Sequence, residues 1–144
     1  YAANVFKGIN TAEMGMAAVI PTGELVLNPK WYQSLNKKLI GTGYHEAGHL
    51  LELALIKKNN PNAHEDRIFS LWHEGSCAQE IVKKAYQRIS TQKELGELRK
   101  DISAYSMKDY SETLAEAVRD YYTNDYGASL LSIQIIKVLR EEMK

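Results

Sequence analysis

The alternation of hydrophobic and polar positions predicts a mostly helical chain with one small sheet near its beginning. Residues 16–20 and 24–28 are short β-prone runs on either side of a Pro-Thr-Gly turn, which is typical of a hairpin or a bent edge strand. Residues 31–40 favour a short helix that ends at the Gly-Thr-Gly of residues 41–43. After that point the hydrophobic spacing is helical.

A long helix is predicted over residues 44–58, with Thr42 as its N-cap. This segment is apolar on nearly every side, which is typical of a central, buried helix. An Asn-Asn-Pro-Asn sequence at residues 59–62 ends it. Residues 62–75 then resemble a loop that carries a few apolar anchors.

The remaining chain predicts four further helices and a fold class. Capping boxes that begin at Ser76 and Thr91 mark the starts of two of these helices. The predicted elements are helices at 77–89, 92–99, 111–123 and 128–142 and a short strand or turn at 101–105. We therefore expect an α+β fold, mostly α, in which a small sheet or edge strand packs on the buried helix and a helical C-terminal half follows.

Composition narrows the class of protein. The 144 residues suit one domain, 1–144, and 18 basic residues balance 18 acidic ones. This balance argues against nucleic acid and against an anionic membrane surface as partners. The single cysteine, Cys77, excludes an internal disulfide, and no apolar run approaches the roughly 18 residues that span a bilayer. The chain opens with Tyr1 and has no leader, so we expect a domain excised from a longer polypeptide.

The sequence His45-Glu46-Ala47-Gly48-His49 carries the most specific chemistry. Histidines four residues apart share one face of a helix and can bind one Zn²⁺ at about 2.0–2.1 Å. Glu46 lies beside them, where it can take a proton from a metal-activated water. The alternative is a pair of hydrogen-bonded core histidines. The apolar surroundings favour the metal, because three polar side chains buried without a function would be costly.

A hydrolytic zinc site needs a third protein ligand, for which several positions compete. A metzincin would have a third histidine six residues after His49, but that position is Leu55. His73, with Glu74 beside it, is a possible donor. Glu112, Glu116 and Asp120 form a carboxylate stripe at a spacing of four.

The stripe has a plain interpretation, as a solvated acidic face on which Glu112 pairs with Asp109 in a helix cap. The apolar neighbours at 114, 115, 117 and 118 leave little of this helix free for water. We therefore expect Glu112 as the third ligand, with Glu116 behind it to orient a metal-bound imidazole. Glu116 remains the alternative ligand.

These residues resemble the gluzincin class of zinc peptidases, in which a glutamate on a later helix joins His-Glu-x-x-His. The sequence Glu-Thr-Leu-Ala-Glu-Ala-Val at 112–118 is similar to the Glu-Phe-Phe-Ala-Glu-Ala-Phe of the lethal-factor-like branch, which includes the Pro-Pro endopeptidases. That branch places a tyrosine seven residues before the ligand glutamate, where it supports the tetrahedral intermediate. Seven residues before Glu112 is Tyr105, whereas seven before Glu116 is Asp109. The resemblance thus implies Glu46 and Tyr105 as catalytic residues.

From about residue 16 onward the layout also resembles C-terminal domains of Mu F-like phage head-morphogenesis proteins, although the stretch between His49 and Glu112 is long. The resemblance implies a zinc endopeptidase that takes an extended polypeptide, with phage head proteins as partners. The strand at 24–28 is either the edge to which the peptide adds or a plain structural strand. Alternatives are a catalytically silent zincin-fold module of the virion and a toxin-like effector peptidase. The expected location is the bacterial cytoplasm or virion in the phage case and outside the cell in the toxin case.

Four other conspicuous side chains are expected to be structural. Trp72 is interpreted as a packing residue, and His64 and His73 as surface or loop histidines. Cys77 stands at a predicted helix start, a position that can lower the pKa of a thiol. No histidine or asparagine motif accompanies it, so a nucleophile is not predicted.

Overall fold

The computed structural model describes residues 17–19, 25–27 and 37–144. Within these ranges the regular elements are two strands, six α-helices and two short 3₁₀ helices. They are β1 (Ala17–Val19), β2 (Leu25–Leu27), α1 (Lys37–Asn59), α2 (Glu65–Glu74), α3 (Ser76–Gln87), α4 (Leu95–Ile102), the 3₁₀ helix Tyr105–Met107, α5 (Tyr110–Asn124), the 3₁₀ helix Asp125–Gly127 and α6 (Leu130–Glu142).

The expected α+β fold is wrong, because the described chain is a helical protein. β1 and β2 pair antiparallel, with Ala18 opposite Val26, but each has three residues. Strands of the usual five to six residues, in sheets of several strands, are needed for a layer that supports helices. Every buried apolar side chain among those described lies on a helix. The fold is therefore determined by helix packing, and the predicted turn at residues 21–23 lies outside the described residues.

α1 is longer than predicted and has no break at the Gly-Thr-Gly sequence. It runs from Lys37 to Asn59, so Thr42 lies inside the helix and does not cap it. Another glycine of α1, Gly48, serves close packing. A Cβ on Gly48 would lie 2.7 Å from Ala115 Cα, so the backbones of α1 and α5 approach each other closely at this point.

Residues predicted as a loop form α2 instead. The imidazole of His64 accepts a hydrogen bond from the Asp66 backbone N–H at the start of this helix. Gly75, at φ 75°, ends α2 in the left-handed conformation that glycine adopts without strain. Ile68 of α2 packs with Leu53 of α1 in a small hydrophobic cluster. Contact with α1 thus buries the apolar face of this segment.

The bounds of most later helices were predicted correctly, but the two predicted capping boxes are not found. The helices predicted at 77–89, 111–123 and 128–142 are found within two residues of those bounds. Ser76 makes no cap, since Gly75 precedes α3 without a side-chain hydrogen bond. α4 begins only at Leu95, and Thr91 accepts from the Lys93 N–H in the preceding turn. The strand or turn expected at 101–105 is the end of α4 and the start of a 3₁₀ helix.

In the main hydrophobic core, α5 packs against α1. Leu114 of α5, Val82 of α3 and Ile135 of α6 are buried in one cluster, which Leu55 of α1 joins. Truncation of such a side chain to alanine costs about 2–5 kcal/mol. Among the described helices none is both long enough and apolar enough to cross a bilayer.

Candidate metal centre

The candidate site lies where α1 packs against α5. α1 carries His45, Glu46 and His49, all buried, and the two histidines lie on the face that meets α5. α5 presents Glu112 near its start and Glu116 one turn later. The absence of a side chain at Gly48 brings the two helices close enough for these groups to meet.

Three of the side chains converge on one point. His45 Nε2 lies 2.9 Å from Glu112 Oε2, and His49 Nε2 lies 3.1 Å from Glu112 Oε1. One donor atom from each residue lies within 4.8 Å of the others, so the group can hold a metal ion. Ligand atoms around one tetrahedral zinc stand about 3.3 Å apart when the bonds are 2.0–2.1 Å. A small separation of the side chains would therefore admit such an ion.

The proton positions also fit a cation at this point. His45 Nδ1 is 2.8 Å from Glu116 Oε2 and can donate its ring proton to that carboxylate. Nε2 of the neutral ring then carries a lone pair and faces the buried Glu112 Oε2 at 2.9 Å. Two lone pairs 2.9 Å apart repel unless a proton or a metal ion lies between them.

The pKa shifts of His45 and Glu112 follow from the same arrangement. Burial lowers the pKa of His45, but hydrogen bonds and charge from Glu112 and Glu116 outweigh it and raise that pKa to about 9. Burial raises the pKa of Glu112, yet His45 and His49 outweigh it and lower that pKa to about 2. A metal ion would therefore compete with a proton for His45 Nε2.

Glu116 supports His45 from the side away from Glu112. Besides the His45 ring, Glu116 accepts a hydrogen bond from Ser103 Oγ at 2.8 Å. Burial raises the pKa of Glu116, but these two hydrogen bonds and nearby cationic groups lower it overall. Ser103 Oγ in turn accepts from the Ser106 N–H at 3.1 Å, which ties the 3₁₀ helix Tyr105–Met107 to the same carboxylate. Glu116 is not a member of the three-residue group.

His49 has different support. Its Nδ1 is buried without a hydrogen-bond partner, and the edge of Trp72 meets its ring at 5.4 Å between centroids. Glu52 is completely buried nearby and accepts hydrogen bonds from Trp72 Nε1 and Ser111 Oγ, each at 3.1 Å. Burial raises the pKa of Glu52 to about 7, although both donors and His49 oppose the rise.

Glu52 and Ser103 were missed by sequence reasoning. A signal for Glu52 exists, since it follows His49 by three residues and so shares the face of α1 that carries both histidines. Ser103 gives no such signal, because it lies between two helices and its partner is thirteen residues away. Trp72 packs against Phe69 as expected, but its contact with His49 was not predicted.

The two residues predicted as catalytic lie beside the group. Glu46 is 9 % exposed, and burial raises its pKa despite the opposing influence of both histidines. Tyr105 is about half exposed, with its ring 5.7 Å from the His45 ring between centroids. Lys108 Nζ lies 5.5 Å from the centre of the Tyr105 ring. The tyrosine therefore lies at the solvent-exposed edge of the site.

The predicted carboxylate stripe divides into three separate functions. Glu112 joins the histidines, Glu116 supports His45, and Asp120 accepts hydrogen bonds from Ser129 and Ser132 at the start of α6. The solvated acidic face is thus excluded. The predicted cap is present as well, since Asp109 Oδ1 accepts from the Glu112 N–H at 2.8 Å.

The other candidates for a third ligand lie elsewhere. Leu55 is buried in the main core. His73 is exposed and lines a cavity of about 340 Å³ that also borders Glu112, but it is not part of the group. His64 is exposed, as expected. The pKa of Cys77 is raised to about 12 by burial and by nearby carboxylates, so its place at the start of α3 does not lower it.

Comparison of the chain with family models, with curated proteins and with solved structures finds no match. The gluzincin-like and phage-related resemblances therefore depend on the sequence motifs alone, and the geometry of His45, His49 and Glu112 carries the functional argument.

Proposed function

We propose that this protein is a zinc-dependent endopeptidase whose centre is held by His45, His49 and Glu112. The convergence of these three side chains at the α1–α5 contact, with the buried Glu46 beside them, is the observation that supports it. Two imidazoles and a carboxylate are a donor set that zinc hydrolases use, with one position left open for substrate.

The residues around the centre supply the remaining chemistry. Zinc, when bound, supplies the Lewis acidity that peptide hydrolysis needs. Glu116 keeps the ring proton of His45 on Nδ1, which leaves Nε2 as an electron-pair donor. Glu46, whose pKa is raised, accepts a proton from the attacking water and delivers it to the leaving amine. Tyr105 donates a hydrogen bond to the oxyanion that develops on the scissile carbonyl.

The proposed substrate is an extended polypeptide. The cavity of about 340 Å³ beside Glu112 has room for a side chain of such a substrate. The resemblance of the sequence to Mu F-like proteins makes phage head proteins the first candidates to test as substrates.

The test combines zinc content with cleavage of a peptide library by the wild type, Glu46→Gln and a control, Glu97→Gln. Glu97 is an exposed glutamate on α4 and does not belong to the metal centre. We expect one zinc per chain in all three proteins. Glu46→Gln should lose about 10²–10⁴-fold in turnover, because a general base contributes that much, and the control should lose nothing.

Zinc bound by a wild type that cleaves no peptide would overturn the proposed activity. The protein would then be a metal-binding structural module, of the kind that the virion alternative describes. Full activity in Glu46→Gln would instead exclude Glu46 as the base.

A further inference from the structure

Glu52 is a buried carboxylate that the proposed reaction does not use. It is completely buried on α1, three residues after His49. The neighbouring Leu53 and Leu55 show that apolar side chains fill the adjacent positions of this helix. Removal of a carboxylate from water costs several kcal/mol unless partners compensate. Packing alone would therefore be served better by a hydrophobic residue.

The two oxygens of Glu52 connect three helices. Oε1 accepts a hydrogen bond from Trp72 Nε1 of α2, and Oε2 accepts one from Ser111 Oγ at the start of α5, both at 3.1 Å. Each partner touches or adjoins a residue of the metal centre. Trp72 meets the His49 ring edge-on, and Ser111 directly precedes Glu112.

His49 depends on such contacts because its ring is paired only at Nε2, with Glu112 at 3.1 Å, and has no hydrogen bond on its other nitrogen. Its Nδ1 is buried and unpartnered, whereas the Nδ1 of His45 is bonded to Glu116. Ring contacts with His45 and Trp72 therefore limit how the His49 imidazole can turn. A tryptophan held by a hydrogen bond at its Nε1 limits that motion more than a freely rotating one.

We propose that Glu52 is a positioning residue of the metal centre, which holds Trp72 against His49 and the start of α5 so that His49 Nε2 and the Glu112 carboxylate face each other. The inference rests on the proposed function, since a metal must be bound for this positioning to matter. Glu52 touches neither substrate nor metal and acts through Trp72 and Ser111.

The experiment measures Co²⁺ affinity by titration of the visible absorption band, in a Trp31→Phe background. That background leaves Trp72 as the single tryptophan, so its fluorescence reports the same contact. Glu52→Leu fills the space but accepts no hydrogen bond, and Glu52→Gln keeps an acceptor oxygen. We expect Co²⁺ affinity to fall about 10–100-fold in Glu52→Leu, with altered Trp72 emission. Glu52→Gln should stay within about threefold of the parent.

Equal Co²⁺ affinity in the parent and in a folded Glu52→Leu would overturn the inference and leave the proposed function standing. A parent that binds no metal would overturn both. A parent that binds Co²⁺ but cleaves no peptide would overturn the proposed activity alone, because the affinity comparison does not depend on turnover.

A second pair of variants covers the case in which Glu52→Leu does not fold. Trp72→Phe and Ser111→Ala each remove one of the two donors, and both should weaken Co²⁺ binding several-fold. Trp72→Phe should have the larger effect, because Trp72 contacts His49 directly. Ser70→Ala, an exposed serine of α2, is the matched control and should bind Co²⁺ as the parent does. No loss in either donor variant would overturn the inference.

Discussion

Apart from Glu112, which both histidines contact, each histidine of the centre has one carboxylate on its own side, and these two carboxylates behave in opposite ways. Glu116 bonds directly to the His45 ring, and its pKa is lowered. Glu52 lies on the His49 side, bonds to a tryptophan and a serine, and has a pKa raised to about 7.

The difference shows that the charge of a buried carboxylate depends on its partners as well as on its burial. Both glutamates are buried, and in both burial raises the pKa. Glu116 has the His45 imidazole and Arg119 nearby, the latter at 3.7 Å, which stabilise the charged form. The hydrogen-bond donors of Glu52 are neutral and compensate only part of the desolvation. The His45 side of the site is therefore stabilised by charged partners of Glu116, and the His49 side by neutral donors that bond to Glu52.

The largest expected effect concerns the pH dependence of stability on the Glu52 side. The pKa of Glu52 is raised from its ordinary value of 4.5 to about 7 in the folded protein. At pH values between these two, the unfolded chain has released a proton that the folded chain keeps. The free energy of unfolding therefore falls as pH rises through this window, by on the order of 3 kcal/mol. Glu52→Gln cannot titrate, so its stability relative to the wild type should rise by that amount between pH 5 and pH 8.

Urea unfolding of the metal-free proteins at both pH values measures this difference. Glu97→Gln, which removes an exposed carboxylate, should follow the wild type at both pH values. Parallel behaviour of Glu52→Gln and wild type would mean that Glu52 is charged throughout, like Glu116.

The next effect concerns the support of His45. Glu116→Ala removes the hydrogen bond that orients this imidazole, and metal affinity should fall about 10–100-fold, as is usual for such partners. Zinc affinity by competition with a chelator measures it. Asp120→Ala is the matched control, since Asp120 belongs to the same stripe but accepts hydrogen bonds from Asn124 and from the start of α6, away from the centre. It should lower stability and leave affinity unchanged.

A comparison with Glu112→Ala also decides the ligand assignment. We expect Glu112→Ala to bind no zinc under conditions in which Glu116→Ala still binds it weakly. The reverse result would make Glu116 the third ligand.

The smallest effect is expected at Ser103, one step further from the metal. Ser103→Ala removes one of the two hydrogen bonds to Glu116, a loss of about 1 kcal/mol or roughly fivefold in zinc affinity. Because Ser103 acts through Glu116, the same change should have little further effect in a Glu116→Ala protein. Additive losses in the double variant would mean that Ser103 acts on the centre by another route.

The helical half of the fold was predictable where the hydrophobic pattern was strong. α3, α5 and α6 follow their predicted bounds because each buries a continuous apolar face in one core. α2 was not predicted, and α1 was predicted as two helices with a break at residues 41–43. In α2 the apolar positions were interpreted as anchors of a loop, but they pack with Leu53 in one cluster. In α1, Gly41 and Gly43 were taken for a break, although a Cβ on Gly41 would lie 2.7 Å from Arg119 Nε of α5.

For the site, local spacing by itself determined which residues share a helix face. His45 and His49 are four residues apart, as are Glu112 and Glu116, and any α-helix brings such pairs together. Only the tertiary structure decided how the two faces meet. Glu112 reaches the Nε2 atoms and Glu116 reaches the opposite side of the His45 ring.

The role of Glu52 was determined partly by local spacing and partly by the tertiary structure. Its place on the face of His45 and His49 follows from the sequence, but its partners lie 20 and 59 residues away and depend on the packing of three helices. Helical periodicity is a property of a short segment, whereas the partner of a buried carboxylate is set by where distant segments pack. The sequence therefore determined a polar face on a buried helix, and the fold determined what each group on that face does.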